Sequence, residues 1–136
     1  MRMRFLAAAA VLVSAGVHLK LWLDGFRDLH MIGPAFMLNA VAGVVIAVLL
    51  VLWRHWLPPL LAVGFGASTF GAFLISTTVG LYGVHEVWTG SYVFAAAVSE
   101  VVAMVAGALV LLRERRGRTT AGEVPHRVAV PREDLR

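Results

Sequence analysis

Cysteine is absent from all 136 residues. That excludes disulfides, thiol nucleophiles, thiolate metal sites and iron–sulfur clusters. It says nothing of compartment, because a chain without cysteine tolerates either redox environment. Charge is also scarce. Charged residues make up 15% of the chain, against about 25% in a soluble domain. Hydrophobic residues reach 60%, against about 45–50%. A protein of 14.7 kDa has too much surface to hide that excess in a core. Lipid is therefore the solvent for most of the chain, and the expected class is an all-α integral membrane protein.

The motifs of common enzymes are missing as well. There is no phosphate-binding Walker loop, no GxSxG, no HExxH and no acidic metal cluster. The expectation is a protein without catalytic residues, without a metal and without a cofactor, hence not an enzyme. The net charge of +4 and the pI near 10.7 do not point to nucleic acid. The arginines gather at the ends of apolar runs and in the tail, as membrane topology requires, and no basic stripe or nucleic-acid module is present.

What is there is four apolar stretches, each close to the roughly 20 residues that span a bilayer. They cover about 5–23, 35–53, 60–82 and 92–112. Pro34 and the Pro58–Pro59 pair stand at helix starts, where a missing N–H costs little. Short connectors predict antiparallel neighbours. The expectation is an antiparallel four-helix transmembrane bundle over 1–112. Residues 113–136 are polar, contain two prolines and lack an apolar period, which predicts a disordered cytoplasmic tail. The opening MRMRFLAAAAVLVSAG resembles a signal peptide, with a small-residue VSA as the cleavage point. The apolar run continues past Ala15 to Leu23, which favours an anchor.

Orientation follows the basic residues in the short flanks. Arg2 and Arg4 precede the first span, Arg54 lies between the second and third, and Arg113, Arg115, Arg116 and Arg118 follow the fourth. The connector between spans three and four has no Lys or Arg, and Arg27 is offset by Asp24 and Asp28. Both termini are expected in the cytoplasm of a plasma-membrane protein. The two hairpin tips, with Asp24, Asp28, His30, His85 and Glu86, are expected outside. Those five residues form an outer-face cluster, but their spacing matches no metal motif.

Each span also carries small residues at helical spacing, which let helices approach closely in lipid. They are Ala10, Ser14 and His18; Asn39, Gly43 and Ala47; Gly64, Ser68 and Gly71; and Ala96, Glu100, Ala103 and Gly107. Close backbone approach is expected at Gly43 and Gly71, and tolerance of apolar exchange at Val48 and Leu50. With about 1.5 Å of rise per residue, His18 and Asn39 lie about 7 Å below the outer boundary, Thr78 about 6 Å and Glu100 about 12 Å. These four residues therefore predict a polar intramembrane pocket in the outer half of the bundle. A charge at mid-helix costs at least about 2.5–3.5 kcal/mol on insertion scales, so Glu100 is the strongest single signal and His18 its expected partner. The alternative is that these groups only hydrogen-bond helix to helix.

Two functional expectations remain. In the first, the protein is an accessory or structural subunit of a larger membrane assembly, its partners being lipid and other membrane subunits or further copies of itself. In the second, it is a small-solute or proton-linked carrier with an outward-facing pocket around Glu100. A carrier fails on Glu100→Gln; an accessory subunit tolerates it.

Overall fold

The computed structural model describes residues 1–83, 85, 87 and 89–122. Glu86 and Trp88, placed in the outer connector by the sequence, and the tail 123–136 lie outside the described residues. Four helices carry the fold: α1 (Arg2–Leu23), α2 (Ile32–Leu52), α3 (Leu57–Thr78) and α4 (Ser91–Gly122). A single 3₁₀ turn (Phe26–Asp28) lies between α1 and α2. All four are long and apolar enough to cross a membrane.

The residue pairs in contact give the directions. Along α1 and α2, His18 meets Phe36, Ala15 meets Gly43 and Arg4 meets Leu50. Along α3 and α4, Gly66 meets Glu100 while Pro59 meets Gly107. Along α1 and α4, Ser14 meets Glu100 while Arg4 meets Glu114. In each pair one number rises as the other falls, so the neighbours are antiparallel. α1 is the central helix, packed on α2 and α4, and α3 leans on α4 with little contact to α2.

Small residues set these distances. A Cβ added at Gly43 would stand 2.7 Å from the Ala15 Cβ; at Gly66, 2.6 Å from the Glu100 carbonyl oxygen; at Gly107, 2.8 Å from the Pro59 carbonyl oxygen. Atoms do not approach that closely, so only glycine permits these backbones to meet. The core between them is alanine-rich: Ala7, Ala8, Ala10, Ala47, Ala62, Ala103 and Ala106, with Val11, Ile46, Leu50 and Phe65. The outward face of α2, by contrast, is large and apolar, with Leu38, Val41, Val44, Val45 and Val48 exposed. In a bilayer that face meets acyl chains.

Three expectations are corrected. Gly71 and Gly64 have open space where a Cβ would stand, so the packed face of α3 is Pro59, Ala62 and Gly66 instead. The two faces are a half-turn apart, and both carry small residues, so composition alone does not choose between them. Leu50 is 1% exposed, because it sits beside Ala47 on the core side, while Val48 faces outward. Finally, α4 does not stop at Leu112. It runs through Arg113, Glu114, Arg115 and Arg116 to Gly122, since Arg and Glu are good helix formers and Glu114 is tied to Arg4.

Candidate functional site

Ser14, on the buried face of α1, is the hub of the polar groups within the bundle. Its hydroxyl donates to Glu100 Oε1 at 3.3 Å, and its own carbonyl lies 2.8 Å from His18 Nδ1. A carbonyl can only accept, so Nδ1 carries the hydrogen in that bond. The His18 ring then stands edge-on to Phe36, with centroids 5.0 Å apart, and Phe36 stacks on Phe26 at 5.0 Å. His18 is thus a wedge that fastens the C-terminal end of α1 to α2 and to the 3₁₀ turn.

Glu100 is 1% exposed. Its Oε1 takes the Ser14 bond, and its Oε2 has no hydrogen-bond partner among the described residues. The direct His18–Glu100 pair expected from the sequence is not formed: each side chain is used on Ser14, one through the hydroxyl and one through the backbone. The spacing explains this. Ser14 lies one helical turn below His18, which is the depth of Glu100 on the antiparallel α4.

Asn39 occupies a separate position on α2. Its Nδ2 donates to Thr69 Oγ1 on α3 at 3.2 Å, and Thr69 Oγ1 donates in turn to the Phe65 carbonyl at 2.8 Å. The Asn39 Oδ1 is buried without a partner among the described residues. Thr78 is exposed at the end of α3 and donates to the Leu74 and Ile75 carbonyls of its own helix. It is not brought to the other three. Four residues at similar depth in sequence therefore become a Ser14–Glu100–His18 group, an Asn39–Thr69 bridge and a surface threonine.

The described residues of the expected outer-face cluster, Asp24, Asp28, His30 and His85, are spread along the connectors. Asp24 pairs with Lys20, whose ammonium also stands over the Tyr92 ring, 5.6 Å from its centroid. Asp28 is near Arg27 at 3.8 Å, and His30 is exposed. His85 is exposed, with its ring against the backbone of Gly80. Among the described residues no three acids or histidines come together as metal ligands.

No protein-family model, curated protein or solved structure matches this chain.

The most fully bonded side chain is one the topology argument treats only as a charge. Arg4 is 6% exposed. Its Nε donates to Glu114 Oε1 at 2.9 Å, its Nη1 to the Leu50 and Trp53 carbonyls at 3.3 and 2.9 Å, and its Nη2 to the His55 carbonyl at 2.6 Å. Nη2 also stands 2.8 Å from Glu114 Oε1. All three guanidinium nitrogens donate. The last carbonyls of a helix have no intrahelical partner, and Arg4 from α1 supplies one for the end of α2. Ser14 was visible on a sequence stripe. Arg4 and Thr69 gave no signal that separates them from any flanking arginine or helical threonine.

Proposed function

We propose that this chain is a non-enzymatic, multi-pass plasma-membrane protein that serves as an accessory or structural subunit of a larger membrane assembly. It docks through α3 onto a transmembrane helix of a partner or of a second copy. The observation that carries this reading is the outward face of α3. Gly64, Ala67 and Ser68 are exposed and Gly71 is half-buried, with open space beside both glycines. The opposite side of the same helix already packs on α4. Large apolar side chains, as on α2, suit a lipid boundary. A flat strip of small residues suits another helix, because close backbone contact is what drives association in lipid.

The cytoplasmic location of both termini belongs to this reading. Arg2, Arg4, Arg54 and Arg113 line one end of the bundle. At the other end Lys20 is paired with Asp24, and Arg27 lies beside Asp28. The excess of positive charge at the first end supports placing it inside.

A carrier working through Glu100 is the second reading. It is favoured by two buried oxygens that have no partner among the described residues, Glu100 Oε2 and Asn39 Oδ1, since such groups are costly unless used.

Purification in mild detergent with mass spectrometry of bound subunits separates the two. The accessory reading expects a defined partner, or a homo-oligomer, that is lost in the Gly64→Leu, Gly71→Leu double variant and kept in Glu100→Gln. Retention of the same assembly by the double variant contradicts it.

A further inference from the structure

At the end of the bundle where α1 begins, α2 ends and α4 leaves the apolar region, a cavity of about 510 Å³ is lined by Arg2, Arg4, Arg54, Arg113, Glu114 and Val110, among others. That volume lies within the about 300–1,000 Å³ of small-ligand clefts. Four arginines and one acid are thus among its lining residues. The single acid is already committed, because Glu114 Oε1 takes both Nε and Nη2 of Arg4. Each guanidinium nitrogen of Arg4 is engaged, with the Leu50, Trp53 and His55 carbonyls accepting from Nη1 and Nη2. Arg4 and Glu114 therefore form a neutral strut that fixes the cavity wall. Arg2, Arg54 and Arg113 are exposed and carry no ion pair among the described residues. They come from three different elements: the start of α1, the loop between α2 and α3, and α4.

We propose that this cavity is a binding site for a phosphate-bearing anion, held by Arg2, Arg54 and Arg113. Three arginines brought to one cavity by separate elements suit the several oxygens of a phosphate, which guanidinium groups bind in pairs of parallel hydrogen bonds. The membrane setting supplies such a group in the head of an anionic lipid, and basic pockets between transmembrane helices recognise that chemistry. A soluble diphosphate carries the same chemistry. The ligand bridges α1, α4 and the α2–α3 loop, so it binds the folded bundle and raises its stability by mass action.

The test uses the full chain purified in a neutral detergent. Short-chain phosphatidylglycerol, phosphatidylcholine of equal chain length, and inorganic pyrophosphate are titrated separately, and binding is read by native mass spectrometry and thermal shift. Phosphatidylglycerol is expected to bind at least tenfold more tightly than phosphatidylcholine. Replacing Arg2, Arg54 and Arg113 together by Gln is expected to remove that preference while leaving the melting temperature without ligand unchanged. Pyrophosphate binding with the same dependence on the three arginines also supports the site and assigns it a soluble ligand. The proposal is overturned when neither anion exceeds phosphatidylcholine, or when the triple variant binds as the native chain does. It is equally overturned when Arg115→Gln with Arg116→Gln weakens binding as much as the triple variant, because a diffuse basic field then replaces the site.

Discussion

Arg4 and Glu114 are 110 positions apart and meet at 2.8 Å. The bond ties the first turn of α1 to the part of α4 beyond its apolar stretch, and through the other Arg4 donors it also holds the end of α2. One side chain thus joins three helices at one end of the bundle. Removing one partner of a buried, hydrogen-bonded charge pair costs about 3–5 kcal/mol. Arg4→Met is expected to cost less, about 1.5–3 kcal/mol, because the Glu114 it leaves is half-exposed while the Leu50, Trp53 and His55 carbonyls lose a charged donor. Glu114→Gln, at a half-buried position that still accepts a hydrogen bond, is expected to cost about 1 kcal/mol. Unfolding by denaturing detergent measures both. Equal stability of Arg4→Met and Arg2→Met contradicts the strut.

The glycines divide into two groups. Gly43→Leu and Gly66→Leu are expected to lower the melting temperature sharply, because a first side-chain atom already meets Ala15 or the Glu100 backbone. Gly71→Ala is expected to stabilise the isolated bundle by about 0.5–1 kcal/mol, the usual gain over glycine inside a helix. Thermal unfolding in detergent at low protein concentration checks the contrast. A loss of stability at Gly71 equal to that at Gly43 contradicts the orientation of α3.

Depth and spacing made much of this fold legible. Four spans, their order and the burial of Glu100 all follow from apolar length and helical rise. What sequence did not reveal is which side of a helix is the inner one when both sides are small. On α3, Gly64 and Gly66 are two residues apart and point opposite ways, and only the packed neighbour distinguishes them. The candidate site was partly legible for the same reason. Glu100, His18 and Asn39 were found by polarity, but depth does not say which helices touch. Ser14 therefore takes the place expected of His18, and Thr78 falls on the surface. Arg4 was hidden by its likeness to any flanking arginine, and Arg113 to Arg116 read as tail because their polarity ends the span without ending the helix.

The polar group predicts an order of couplings. In a double-mutant cycle, Ser14→Ala with Glu100→Leu is expected to show about 0.6 kcal/mol, the average for hydrogen bonds between transmembrane helices. His18→Leu with Glu100→Leu is expected to show a smaller coupling, since the two side chains meet only through Ser14. The reverse order means that His18 reaches Glu100 directly in the membrane.

Topology has a clean test because the native chain has no cysteine. Gly25 and Gly90 have positive φ and are poor places for a side chain. Leu29→Cys and Thr89→Cys, at exposed loop positions, are expected to react with an impermeant maleimide on intact cells, and Thr119→Cys only after permeabilisation. Labelling of Thr119→Cys from outside reverses the orientation.

The docking role of α3 is the centre of this account, and cysteine cross-linking in native membranes tests it most directly. Single cysteines at Ser68 and Gly71, on the small-residue face, are compared with cysteines at Val44 and Val48, on the large apolar face of α2. The account predicts a discrete cross-linked product, with a partner subunit or with a second copy, from Ser68→Cys and Gly71→Cys and none from the two α2 positions. Cross-linking from Val44→Cys or Val48→Cys with none from α3 would contradict it.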